Sequence, residues 1–241
     1  MVLDCKVGHG AFMKTIDEAR TLASAIRAIG AAAGKPVTVV VTDMNAPIGW
    51  AVGNALEIAE SIETLKGAGP ADTRELTCVL GGEMLALAGL AADGDAGRAR
   101  IASSLDDGSA LEVFRQMVEA QGGDANVTDD PSSVLPQAKN KRVLEADSAG
   151  VIGAIRARDV GIAGLRLGAG RTKVTDSIDP AAGIELHCRV GDPVEVGQPV
   201  ATLHYNDRDP DPVLSELSRA IEIAAQPGET TSGSRVIETI R

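Results

Sequence analysis

Aromatic side chains are nearly missing from this 241-residue chain: Phe12, Phe114, Trp50 and Tyr205 are the whole set. Four rings over such a length exclude the stacking platforms on which single-stranded nucleic acid is bound. Basic runs are missing too, and the net charge is −11. Neither nucleic acid nor an anionic membrane surface is therefore an expected partner. An anionic substrate stays compatible if local donors hold it against that field. No apolar run reaches the ~18 residues of a membrane-spanning helix. No charged n-region leads into an apolar stretch at the start, so no secretory leader is read. The three cysteines, Cys5, Cys78 and Cys188, form no C-x-x-C pair and no disulfide framework, which points to a reducing cytoplasm. The three histidines, His9, His187 and His204, lack metal-ligand spacing.

What is present is ordinary globular composition, 44% hydrophobic and 24% charged, on a chain long enough for one large domain or two modest ones. The first half alternates strand and helix. Val2-Leu3-Asp4-Cys5-Lys6-Val7 reads as a short strand, and Gly8-His9-Gly10 as a turn. Thr15-Ile16-Asp17-Glu18 is a capping box, in which hydroxyl and carboxylate satisfy two orphan helix amides reciprocally. Ile16, Ala19, Leu22, Ala23, Ile26 and Ile29 follow at helical spacing, with Gly30 as the expected stop. Val37-Thr38-Val39-Val40-Val41 is a β-branched run of the kind buried on both faces of a parallel sheet. Together these form a βαβ unit. Because that first strand has no preceding element to pack beside it, the natural domain is expected to begin upstream of Met1.

Asn54-Ala55-Leu56-Glu57 has capping-box spacing and opens a second helix, with Gly67 as its end. A mostly apolar helix is expected over 72–92, and shorter ones over 97–105 and 109–120. Gln121-Gly122-Gly123-Asp124 is a break, and 129–141 reads as a solvated linker. From Arg142 onward the pattern changes to short strands, over 142–146, 150–155, 183–190 and 200–205, with one helix near 213–225. The expected fold is thus an incomplete α/β domain over 1–135 with parallel βαβ units, followed by a small α+β domain over 142–241.

Several ordered blocks carry a specific resemblance. They are Leu3-Asp4-Cys5-Lys6-Val7-Gly8-His9-Gly10-Ala11-Phe12-Met13-Lys14, Thr42-Asp43-Met44-Asn45-Ala46-Pro47-Ile48-Gly49, Val52-Gly53-Asn54-Ala55-Leu56-Glu57 and Ile62-Glu63-Thr64-Leu65-Lys66-Gly67. Leu167-Gly168-Ala169-Gly170-Arg171 and Ile237-Glu238-Thr239-Ile240 extend it to the end. The chain resembles the thymidine and pyrimidine-nucleoside phosphorylases over essentially its whole length. His9 departs from the small residue usual there, and Cys5 from a frequent Val. The family's α-lobe, through which it forms homodimers, and its glycine-rich phosphate loop have no counterpart in these 241 residues. No catalytic residue is therefore carried over, and the chain alone is expected to be inactive.

The resemblance implies phosphorolysis. Phosphate, the co-substrate, attacks C1′ of a pyrimidine (deoxy)nucleoside and displaces the base, most simply thymine from thymidine, in nucleoside salvage. No organic cofactor is implied. Phe12 is implied as an apolar wall of the base pocket; without the resemblance it reads as a turn side chain packed into the core. Ile48 and Ala51, through their carbonyls, and Glu60 are implied as ligands of a potassium ion, whose hardness suits oxygen donors. A helix beginning at Ala51 would carry Glu60 ~13 Å along the axis and out of reach. Capping at Asn54 instead leaves 48–51 in a loop that folds back. Without the resemblance, Glu60 reads as a solvated helix-face charge. Gly8-x-Gly10 fails as a dinucleotide fingerprint, because Met13 stands where the third glycine belongs. The rival reading is a non-catalytic module, or a partner subunit completed by a separately encoded N-terminal half.

Overall fold

The structure is a computed structural model and describes residues 1–171, 173–225 and 233–241. Along the chain run β1 (Val2–Val7), α1 (Ile16–Ala32), β2 (Thr38–Asp43), β3 (Ala51–Val52), α2 (Asn54–Leu65), α3 (Ala71–Leu87), α4 (Gly94–Asp106) and α5 (Ser109–Ala120). There follow α6 (Pro131–Val134), β4 (Asn140–Glu145), β5 (Gly150–Ile155), α7 (Ala157–Gly164), β6 (Gly183–Leu186), β7 (Pro193–Val194), β8 (Pro199–Tyr205), α8 (Asp211–Ala220), β9 (Ile221–Ala224) and β10 (Val236–Ile240). The elements form an α/β arrangement followed by a small α+β module. Where the expected boundaries, 1–135 and 142–241, follow chain order, the compact units interleave. One comprises Met1–Asn45, Glu63–Arg115 and Gly233–Arg241; the other comprises Ala46–Ile62 and Gln116–Ser232.

The first unit is built on a three-stranded sheet of order β1-β2-β10. β1 and β2 are parallel, in register from Val2↔Thr38 to Val7↔Asp43, while β10 runs antiparallel to β2. The sheet is therefore mixed rather than wholly parallel. The central position of β2 explains its β-branched composition. Val39 and Val41 pack with Ala19 and Ala23 of α1, while Thr38, Val40 and Thr42 point to the other face and are equally buried. Among the described strands β1 pairs with β2 alone, and most of its length is half-buried.

The Thr15–Glu18 capping box forms as expected. The helix does not stop at Gly30 but continues to Ala32. Gly30 serves packing instead, since a Cβ there would lie 2.4 Å from Val37 Cγ2. The third helix ends at Leu87 rather than near residue 92. Arg235, ahead of β10, ties the terminal segment down: it donates to Asp43 Oδ2 at 3.2 Å and to Asp72 Oδ2 at 3.0 Å. All three side chains are largely buried.

The second unit packs the sheets β3-β6-β8-β4 and β7-β5-β9 with α7 and α8. Its core holds Ile152, Val160, Leu167, Ile184, Leu203 and Leu217, all fully buried. Several expectations are corrected here. The span read as a solvated linker carries α6, whose first turn is capped by Asp130 accepting from Ser133 N–H. The strand expected over 183–190 ends at Leu186. The helix expected to residue 225 ends at Ala220, after which Ile221–Ala224 becomes β9. Ile221 pairs with Ile155 and Ile223 with Ile152, and that cross-strand burial outweighs helical continuity. α7 was not expected.

His204 of β8 is 5% exposed. Its Nε2 lies 3.5 Å from Glu185 Oε2 without a hydrogen bond. Burial, with Lys141 and His187 adding to it against Glu185, holds the imidazole pKa below its ordinary value. The folded state therefore binds the proton less readily than the unfolded chain. Stability is expected to fall as pH drops below about 6.5, by up to about 1.4 kcal/mol per pH unit until the depressed folded value is passed. Urea unfolding at pH 7.5 and 5.5 checks this. His204→Gln should flatten the profile, and an unchanged slope in that variant would remove His204 as its source.

Candidate active-site loops

Residues 8–14 leave the C-terminal end of β1, the end at which open α/β sheets place their ligands. The loop's neck is closed by the Gly8 N–H donating to Met13 O at 3.0 Å and by a parallel bridge from Val7 to Met13. His9 N–H donates to Asn45 Oδ1 at 3.0 Å, and Gly10 N–H to Met44 O at 2.9 Å. Asn45 Nδ2 in turn donates to Asp43 Oδ1 at 2.6 Å. The turn that follows β2 thereby holds the turn that follows β1. At its outer end the loop presents Phe12, whose side chain is 97% exposed. A turn residue packed into the core is thus excluded for Phe12.

Lys6, near the C-terminal end of β1, is engaged within the sheet. Its Nζ donates to Asp4 Oδ2 at 2.5 Å, and the Thr42 hydroxyl donates to Asp4 Oδ1 at 2.5 Å.

The second loop lies in the second unit and sets Ala51 against Glu60. Glu60 sits on α2, and its Oε2 accepts from Trp50 N–H at 2.6 Å and Ala51 N–H at 3.1 Å. Gly49 lets the carboxylate in: its φ is +71°, and a Cβ there would stand 2.0 Å from Glu60 Oε1. Ile48 and Glu60 are half-buried. Trp50 is also half-buried, packed against the core, with the Arg189 guanidinium 3.8 Å above its ring.

The reason the loop folds back differs in detail from the expected one. Asn54 is the first helical residue rather than the cap, and Glu57 Oε1 accepts from Gly53 N–H at 2.9 Å. The Asn54 amide instead donates to Ala169 O at 2.9 Å. The reading of Glu60 as a merely solvated charge is overturned by its two backbone donors.

Elsewhere the reactive side chains are held inert. Burial and Asp192 push the Cys188 thiol up to about 12, and burial raises Cys5 and Cys78. His187 Nε2 lies 2.7 Å from Thr202 Oγ1. Among the described residues no three His, Cys, Asp or Glu side chains cluster as a metal centre. No described helix is long and apolar enough to cross a membrane. Sequence reasoning missed Asn45, Gly49 and Lys14. The capping-box spacing of Asn54 and Glu57 was the available sign that residues 48–51 lie off the helix axis.

Comparison with known proteins defines the class first. Residues 1–111 match the family model of the glycosyl transferase family a/b domain, and residues 151–224 that of the pyrimidine nucleoside phosphorylase C-terminal domain. The chain is 45% identical over 226 residues to a pyrimidine-nucleoside phosphorylase of Bacillus subtilis (strain 168), covering 94% of this chain and 52% of that protein. It is 43% identical over 224 residues to one from Staphylococcus aureus (strain bovine RF122 / ET3-1), covering 93% and 52%. Against one from Staphylococcus haemolyticus (strain JCSC1435) it is 41% identical over 237 residues, covering 98% and 54%. The chain is similar to pyrimidine-nucleoside phosphorylases over nearly all of its own length. It spans about half the length of the curated relatives it matches.

Proposed function

We propose that the protein to which this chain belongs is a pentosyltransferase that phosphorolyses pyrimidine nucleosides, thymidine among them. The observation that carries this reading is the sustained 45% identity, over 94% of the chain, to a pyrimidine-nucleoside phosphorylase. In the reaction a phosphate oxygen forms a bond to C1′ as the N-glycosidic bond breaks. The base leaves with the electron pair and takes up a proton, giving thymine and 2-deoxyribose 1-phosphate. Positive charge develops on the sugar and negative charge on the base, so catalysis comes from positioning and electrostatic stabilisation. Phe12 supplies an apolar face for the pyrimidine ring, a role supported by its exposure at the end of a fully tied loop. The setting is the cytoplasm, and the whole protein is a homodimer.

Potassium is the ion this reading adds. The donor set fits it: the Ile48 and Ala51 carbonyls and the Glu60 carboxylate are all hard oxygens, and the loop is folded onto Glu60. When bound, the ion supplies positive charge to that loop. Ile48, Ala51 and Glu60 then act by fixing the loop's conformation.

No residue of this sequence corresponds to the family's phosphate loop, so the 241-residue chain alone is expected not to turn over. The second reading is a subunit completed by a separately encoded N-terminal half. The test is release of thymine from thymidine and uracil from uridine, with phosphate, in potassium and in sodium buffer. It is run on the chain alone and after mixing with a separately expressed N-terminal half of the Bacillus subtilis relative. Activity in the mixture alone is the expected result. Silence in both samples favours a non-catalytic module, and turnover by the chain alone overturns the expected inactivity.

A further inference from the structure

The geometry points to Lys14 as the positioning residue that sets Phe12: its ammonium pins the turn of residues 8–11 from inside. Lys14 Nζ donates to three loop carbonyls, those of Gly8 at 3.4 Å, His9 at 3.2 Å and Ala11 at 2.6 Å. An ammonium has three donors and a single charge, and here all three are spent on one turn. Carbonyl dipoles that converge on one point repel each other unless a cation sits among them. The loop's outer amides are satisfied by Asn45 and Met44, and the Gly8 carbonyl also accepts from the Ala11 N–H at 3.1 Å; Lys14 is the side chain that gathers the three inner carbonyls on one point. Lys14 is itself anchored, because its N–H donates to Glu18 Oε2 at 2.6 Å, beside the capping box of α1. Those amide donors hold the Glu18 carboxyl below the usual range, and the Lys14 charge adds to them.

The consequence falls on Phe12. A ring that is 97% exposed has almost no protein packing to choose its direction, so the backbone of residues 8–13 must choose it. Lys14 therefore acts on substrate through Phe12, and without touching it. This role rests on the reading of Phe12 as a pyrimidine contact, but its structural half can be tested separately.

The chain has two phenylalanines, Phe12 and Phe114, so incorporation of 4-fluorophenylalanine yields two 19F resonances, assigned with Phe12→Leu. Lys14→Met keeps the apolar stem and removes the ammonium. It is expected to shift the Phe12 signal as the turn's backbone changes, while the Phe114 signal and the melting temperature stay put. Lys14→Arg, whose planar fork cannot aim three donors at one turn, should fall between the two. In the complemented enzyme the same variants should raise KM for thymidine several-fold and leave kcat nearly unchanged. A Phe12 resonance that is identical in wild type and Lys14→Met overturns the assignment. If Lys14→Met proves unfolded, an unchanged signal in Lys14→Arg overturns it equally. A Phe12 signal that answers to Lys14→Met but not to thymidine leaves Lys14 as the pin and removes the pyrimidine-contact reading.

Discussion

Gly97→Ala is expected to destabilise the first unit by about 3 kcal/mol, the upper part of the range for overpacking. α3 and α4 touch backbone to backbone. A Cβ on Gly97 would stand 2.3 Å from Gly82 O and 2.8 Å from Gly82 Cα. On the facing helix, a Cβ on Gly82 would stand 2.6 Å from both Arg98 N and Gly94 O. No rotamer change relieves a clash with main chain, so the helices must part, and their interface loses dispersion contacts along its length. The ordinary effect of Gly→Ala in a helix has the opposite sign, a gain of up to about 1 kcal/mol. Gly161 of α7 provides that control, because a Cβ there meets nothing within 4 Å. Urea unfolding followed by far-UV circular dichroism should show Gly97→Ala shifted to lower midpoint and Gly161→Ala to higher. If Gly97→Ala unfolds within about 0.5 kcal/mol of wild type, a surface-sized change, the helix contact is not as close as described.

The same contrast between local and tertiary signals decides what the sequence disclosed. β1, α1 and β2 were legible because their signals are local: a capping box at Thr15–Glu18, an apolar stripe at helical spacing, and a β-branched run. β9 was not, because no Gly or Pro separates Ala220 from Ile221, and only pairing with β5 turns the chain from helix to strand. α7 was hidden by Gly161 and Gly164, which lower helix propensity in its short span. The interleaving of the two units has no local signature either. Residues 46–62 and 233–241 are short stretches whose partners are far along the chain.

The candidate loops follow the same division. That a helix capped at Asn54 leaves 48–51 free to meet Glu60 follows from helix geometry alone. That the carboxylate is engaged by the Trp50 and Ala51 amides needed coordinates. The three carbonyls around the Lys14 ammonium likewise carry no local signature in the sequence.

Gly49→Ala should show how much of the second loop depends on that carboxylate. The φ of +71° is a left-handed conformation that costs an alanine roughly 1 kcal/mol. The larger effect is steric. The new methyl occupies the place of Glu60 Oε1, with Cδ at 2.7 Å and Oε2 at 2.9 Å from it. Glu60 can swing away, but the Trp50 and Ala51 amides then lose a charged acceptor, worth about 1.5–3 kcal/mol for a hydrogen bond to an ionised group. The combined loss expected is about 3 kcal/mol.

Glu60→Gln isolates the charge. Its amide oxygen can still accept from one of the two N–H groups, so the loss should be near 1 kcal/mol. The pair also tests the ion. If Ile48, Ala51 and Glu60 hold potassium, wild type melts higher in potassium than in sodium, by the binding linkage RT ln(1 + [L]/Kd). Both variants should lose that increment although they differ threefold in stability. A Gly49→Ala melt equal to wild type would mean that Glu60 is not what folds the loop back. A potassium increment that survives Glu60→Gln would place the ion elsewhere.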